Sequence, residues 1–405
     1  MTPPADPSTY FRKGFGLKSE VKDELAAAYD GGVVDYLRSN DYALTVEDVT
    51  IRLAREFGFC YGVERAVEYA YQTRRKFPDR RIYLVGEIIH NPHVNDRLQQ
   101  MGIEILAHPD PTGAFDFGNI TQEDVVIMPA FGVTIDDFSA LREIGCILVD
   151  TTCGSVLNVW KRVESYARDG FTALIHGKYY HEETRATASQ VRKYPDGHYL
   201  IVRNMDEARI VCEYIEGRIA AAELMSTFSR AVSPGFDPTQ HLRRIGVANQ
   251  TTMLARESLA IADEVGAAIA RARGDDARAT DFRSFDTICS ATQERQDAVR
   301  ELLDDGIDVM VVIGGFNSSN TISLAALCTE RVPTYHIETM SAIDPDAGTI
   351  HYRLAQIQHA EADASNWLPA GKVRVGITAG ASTPNNKIGD VVMRVLATRG
   401  LSVNL

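Results

Sequence analysis

The chain reads as an α/β protein built from three pseudo-repeated α/β domains with mostly parallel sheets. Three observations carry that reading. Short apolar strands alternate with helix-period segments, the pattern of parallel sheets covered on both faces. A cysteine in a turn followed at once by a helical pattern occurs three times, in Phe57-Gly58-Phe59-Cys60-Tyr61-Gly62, Asp150-Thr151-Thr152-Cys153-Gly154 and Asp286-Thr287-Ile288-Cys289-Ser290. The intervals from Cys60 to His90, Cys153 to His181 and Cys289 to Ser318 are 30, 28 and 29 residues, the length of one helix and one strand in a βαβ unit.

Composition narrows the class. With 405 residues, 45% of them hydrophobic, the chain has material for several cores. A formal charge of −13 argues against a nucleic-acid groove. No apolar run reaches the roughly 18 residues that span a bilayer. The start, Met1-Thr2-Pro3-Pro4, lacks the basic and apolar regions of a secretory signal, and the early acids Asp6, Glu20, Asp23 and Glu24 speak against a transit peptide. Six cysteines without a CxxC pair indicate a reducing compartment. A cytoplasmic protein is expected, or one of the plastid stroma were the source a plant.

Residues 1–49 form an N-terminal extension, with helices over 19–38 broken at Gly31-Gly32, packed outside the first domain. The first domain, 50–150, opens with an alternating strand over 49–57, then Cys60 and a helix over 63–76. Its next strand, 81–85, runs into His90-Asn91-Pro92, a helix follows near 94–101, and the strand 124–128 ends in Pro129-Ala130-Phe131-Gly132. The strand 146–149 delivers the chain to Cys153. In the second domain, 151–285, a helix over 156–168 precedes the strand 172–175, which ends in His176-Gly177-Lys178-Tyr179-Tyr180-His181-Glu182-Glu183-Thr184. After an insertion at 216–240, marked by the turns Pro234-Gly235 and Asp237-Pro238, the strand 244–248 ends in Asn249-Gln250-Thr251-Thr252. The third domain, 286–405, repeats the scheme: Cys289, a helix over 293–303, the strand 309–313 ending in Ser318-Ser319-Asn320, and the strand 372–377 running to Ser382.

Ligands of parallel sheets bind beyond the carboxyl ends of the strands, so each module offers one cysteine and two polar strand ends on one rim. A cysteine at a helix start has its thiolate stabilised by the macrodipole and the unpaired N–H groups. Three such cysteines suit zinc or an iron–sulfur cluster. Structural zinc sites draw on close pairs such as CxxC; a four-iron cubane on three thiolates leaves one iron open as a Lewis acid. Cys146, Cys212 and Cys328 lie inside apolar segments and read as core. His90, His181, Thr251, Thr252, Ser318, Ser319, Asn320 and Ser382 are the neutral donors of a phosphate cradle without a Walker lysine. Glu183 is the carboxylate among them suited to proton transfer.

These motifs, taken in order with Arg65-Ala66, Gln250-Thr251-Thr252, Thr292-x-x-Arg295-Gln296, Asn317 to Asn320 and Thr378-Ala379-Gly380-Ala381-Ser382, resemble the 4-hydroxy-3-methylbut-2-enyl diphosphate reductases of the non-mevalonate isoprenoid pathway, in their plant and cyanobacterial branch. The resemblance runs from about residue 50 to the C-terminus. It implies a trefoil of three domains around one 4Fe-4S cluster bound by Cys60, Cys153 and Cys289. It further implies a diphosphate held by His90, His181, Ser318, Asn320 and Ser382, a proton relay through Glu183 assisted by Thr251, and two single-electron transfers from ferredoxin or flavodoxin. Where many members carry His-Gly as a diphosphate donor, this chain has Phe131-Gly132; Lys178 or a backbone N–H near Gly132 is expected to replace it. The basic run Arg74, Arg75, Lys76, Arg80, Arg81 is a candidate docking site for an acidic ferredoxin. The competing classes are a non-catalytic iron–sulfur sensor or scaffold, and a hydro-lyase without net redox.

Overall fold

The computed structural model describes residues 9–107, 114–355 and 360–404. They form two compact units: the chain up to Lys13 with Phe77–Ile88 and Gly102–Cys289, and Gly14–Lys76 with Ile89–Met101 and Ser290–Leu405. The first eight residues of the expected extension lie outside the described residues.

The first unit carries two sheets, parallel throughout. One is ordered Tyr10–Phe11, Ile147–Asp150, Val125–Met128, Ile82–Val85, Ile103–Leu106. The other is ordered Phe282–Ser284, Ile245–Asn249, Thr172–His176, Tyr199–Val202. Their central strands Ile82–Val85, Val125–Met128, Thr172–His176 and Ile245–Asn249 are buried at every position, as strands covered on both faces must be. Tyr166, Phe171, Leu174, Leu200, Ile261 and Val265 anchor the core of the four-stranded module. The insertion belongs to that core: its helix Ala221–Phe228 buries Leu224 and Phe228 there.

In the second unit Val309–Ile313 lies between Thr334–Ile337 and Val373–Ala379, and the latter pairs with Val49–Leu53, all in parallel. Antiparallel strands complete both edges: Ala43–Val46 on one side, and Thr349–Arg353 with Ile343–Asp344 and Glu361–Ser365 on the other.

Two expectations need correction. The strand read as opening the first domain pairs Val49 with Val373 and Leu53 with Ile377, so it shares a sheet with the C-terminal strands. Its period-two burial identifies a strand but carries no information about a partner so distant in sequence. The extension does not pack on one domain: it is divided between the two units. Tyr10–Phe11 is an edge strand of the five-stranded sheet. The helices Lys18–Tyr29 and Gly32–Ser39 are built into the second unit, the first through the Tyr29–Tyr71 ring contact and the second through Val33 against Gly389.

Candidate functional site

In the second unit the site begins with a turn that only glycine can make. Gly58 has φ +64°, and a Cβ there would lie 2.9 Å from the Thr383 carbonyl oxygen. The turn brings the Cys60 N–H to within 3.3 Å of the Ala381 carbonyl oxygen, and the helix Tyr61–Lys76 starts at the next residue. Ala381 N–H donates to Asn320 Oδ1 at 2.9 Å, and Asn320 Nδ2 reaches Thr292 Oγ1 at 3.4 Å. Ser382 Oγ donates to the His90 carbonyl oxygen at 3.1 Å, and Asn317 Nδ2 lies 3.4 Å from His90 Nδ1. Ser318 caps the helix Ser319–Thr329 through the Thr321 N–H. Cys60, His90, Ser318, Ser319, Asn320 and Ser382 therefore gather at the carboxyl ends of Val309–Ile313 and Val373–Ala379. All but the half-buried Cys60 are buried.

The first unit gathers the others. His181 caps the helix Glu182–Ser189 by accepting from the Glu183 N–H on Nδ1 at 3.1 Å, which assigns the proton of its neutral ring to Nε2. Glu183, 3% exposed, accepts at Oε1 from the Thr251 N–H at 2.6 Å. Thr251 thus meets Glu183 through its main chain. Gln250, fully buried, ties the remaining parts together. Its Oε1 accepts from the Lys178 N–H at 3.2 Å and from Thr184 Oγ1 at 3.0 Å, and its Nε2 donates to Thr252 Oγ1 at 2.9 Å. The sequence motif contained Gln250, but nothing in a lone glutamine marks it as the brace of two loops.

Cys153 and Cys289 belong to the same unit. The Cys153 N–H donates to the Ala130 carbonyl oxygen at 2.7 Å, and Cys153 is the N-cap of Gly154–Arg168. The approach is fixed by Asp150, which accepts from the Thr152 N–H at 2.9 Å and from the Tyr10 hydroxyl at 2.6 Å, with Arg12 at 3.2 Å. The loop before Cys289 is held by Thr287, whose Oγ1 accepts from the Asn249 N–H at 3.1 Å; the helix Ser290–Asp304 follows Cys289 directly. Phe131 is buried, with its ring edge-on to His181 at 6.3 Å. The Gly132 N–H is committed to the Pro129 carbonyl oxygen at 3.0 Å, so that amide does not replace the missing donor.

The cysteines divide by environment. Cys60, Cys153 and Cys289 are half-buried, each immediately before a helix. The other three are buried. Burial pushes the Cys146 thiol up to about 11; burial, then Glu264 and Glu216, push Cys212 up to about 12; burial alone raises Cys328. The three partly accessible sulfurs at helix starts are the ones that could hold an iron–sulfur cluster.

Parallel sheets whose strand ends carry thiols, imidazoles and a buried carboxylate are those of an α/β oxidoreductase. The chain belongs to the LytB protein family, whose model matches residues 51–396, a family of iron–sulfur enzymes. Cyanobacterial relatives described as 4-hydroxy-3-methylbut-2-enyl diphosphate reductases match along nearly the whole chain. That of Thermosynechococcus vestitus is 46% identical over 394 residues, covering 97% of this chain and 96% of the relative. That of Gloeobacter violaceus is 45% identical over 398 residues, covering 97% and 93%. A solved structure of (E)-4-hydroxy-3-methyl-but-2-enyl diphosphate reductase, the terminal enzyme of the non-mevalonate pathway, superposes with a TM-score of 0.52 at 29% identity, covering 85% of this chain and 98% of that one. The Plasmodium falciparum reductase structure, at 20% identity and a TM-score of 0.61 over 86% of this chain and 87% of that one, shows the shared fold.

Proposed function

We propose that this chain carries out the reaction for which its relatives are named, the reductive dehydroxylation of 4-hydroxy-3-methylbut-2-enyl diphosphate to isopentenyl and dimethylallyl diphosphate. The observation that carries the reading is that each of the three sheets delivers one half-buried cysteine. Cys60 follows Val49–Leu53, Cys153 follows Ile147–Asp150 and Cys289 follows Phe282–Ser284. Cys60, Cys153 and Cys289 would together hold one 4Fe-4S cluster. When bound, that group would supply single electrons and Lewis-acid chemistry.

The protein's own groups do the rest. His181 presents Nε2–H to the diphosphate, joined by His90, Ser318, Ser319, Asn320, Ser382, Thr252 and Lys178. Glu183 passes a proton to the departing hydroxyl; the Thr251 N–H on its Oε1 keeps that carboxyl oriented. Phe131, packed on His181, keeps water from the imidazole while giving the diphosphate nothing to bind. Lys178 supplies that contact, and Lys178→Ala raises KM; an unchanged KM rejects the assignment.

Electrons come from a small acidic redox protein, ferredoxin or flavodoxin, docked at Arg74 and Arg75. Reversal of both charges slows ferredoxin-driven turnover but not dithionite-driven turnover; equal slowing of both moves the dock elsewhere. Among the described residues no helix is long and apolar enough to cross a membrane, and the proposed location is the cytoplasm.

The deciding experiment is anaerobic reconstitution, an iron count and visible spectrum, then addition of the hydroxy-diphosphate with dithionite. About four irons per chain are expected, with reductant consumed in step with product. Reductant-independent turnover would identify a hydro-lyase instead.

A further inference from the structure

A buried cation in the second unit has no carboxylate to answer it among the described residues. Arg295, on the helix Ser290–Asp304, is 3% exposed. Its guanidinium is committed to main-chain carbonyls: Nη2 donates to Gly58 O at 2.7 Å and Phe57 O at 3.4 Å, and Nη1 donates to Ala291 O at 2.8 Å. Its Nε–H has no partner, and among the described residues no Asp or Glu pairs with it. Elsewhere the chain's arginines pair readily, as Arg81 does with Asp124 and Arg283 with Asp169. Carbonyl dipoles replace only part of a guanidinium's hydration, so a buried cation left this way calls for an anion close by. Two of the carbonyls it grips stand two and three residues ahead of Cys60, the third stands two residues beyond Cys289, and Arg295 itself stands six residues beyond Cys289.

We propose that Arg295 is a positioning residue for the redox centre: its fork fixes the Cys60 loop, and its charge offsets that of the thiolate-bound cluster and raises the cluster's reduction potential. The inference rests on the reading that Cys60, Cys153 and Cys289 hold a cluster. Thiolates and sulfides make such a centre anionic, and reduction adds a further negative charge. A fixed cation in a region of low dielectric therefore favours the reduced form more than the oxidised one.

The test is the midpoint potential of the reconstituted protein, measured by anaerobic redox titration beside an iron count and a circular dichroism spectrum. Arg295→Gln, loaded to the wild-type iron content, is expected to titrate at a more negative potential, and Arg295→Lys to return toward the wild-type value. A loaded Arg295→Gln protein with unchanged potential overturns the proposal. If Arg295→Gln does not fold or load, Arg295→Lys decides alone. A wild-type potential at full iron supports the charge. A folded lysine variant without iron, or shifted negative, overturns it, and so does failure of both variants to fold, which makes the residue structural. Wild-type protein that takes up no iron sinks the underlying cluster reading instead.

Discussion

Gly58 is the residue on which the Cys60 turn depends. With φ +64° and a backbone oxygen 2.9 Å from where its Cβ would be, any side chain must push the loop off Thr383. Gly58→Ala is expected to leave the strands intact yet lower iron content several-fold; full iron retention would show that the loop tolerates the shift. The two cysteine classes predict a labelling pattern. In cluster-free protein under native conditions, iodoacetamide should modify Cys60, Cys153 and Cys289 well before Cys146, Cys212 and Cys328, because the latter are buried and their thiols resist ionisation. Mass spectrometry of peptides reads the order directly. Two histidines set the response to acid. Burial holds both His176 and His336 down at about 4. The unfolded chain binds those protons near 6.5. Stability from these sites is therefore intact above pH 6.5, declines as pH falls to about 4, and is level below that, a loss of about 3 kcal/mol each. His336→Gln, though less stable at pH 7, should lose less on acidification between those limits; a parallel curve of melting temperature against pH would exclude His336 as a source of the loss.

At the scale of elements, the loop after Val309–Ile313 shows how the site is held from behind. His336 Nε2 lies 2.9 Å from the Gly314 carbonyl oxygen, Glu338 Oε1 accepts from the Phe316 N–H at 2.7 Å, and Arg353 donates to the Phe316 carbonyl oxygen. The neighbouring strands thus fix the segment leading to Ser318 and Asn320. Glu338→Ala is expected to raise KM for the diphosphate several-fold with a smaller effect on kcat; the reverse split would mean that the loop serves the chemical step. The strand ends were legible in the sequence because apolar runs stop at glycine, histidine or asparagine, and the runs before Cys60 and Cys153 are strands; the short strand Phe282–Ser284 before Cys289 has no apolar run to announce it. The braces were not. His336, Glu338, Arg353 and Gln250 stand in ordinary contexts, and only the fold brings them to the loops they hold.

At the scale of the molecule, alternation of strand and helix was enough for the α/β class, and the cysteine turns taken in order with the strand-end motifs for the family. Pairing partners escaped because hydrophobic period reports burial, not neighbours. The strand Val49–Leu53 looks like the start of a first domain, and only the register with Val373–Ala379 reveals the sheet to which it belongs. Removal of residues 372–404 deletes the strand between Val309–Ile313 and Val49–Leu53. The expected result is loss of cooperative thermal unfolding in the second unit together with loss of iron. Retention of both would mean that the Cys60 loop is seated without that strand.

The same pairing orders events in time. During synthesis the Cys60 loop leaves the ribosome well before its seat on Ala381 and the partner of Val49–Leu53, which lie more than 300 residues further along the chain. Until that strand arrives the nascent chain carries the sulfur unsheltered, and the thiol is open to oxidation over that interval.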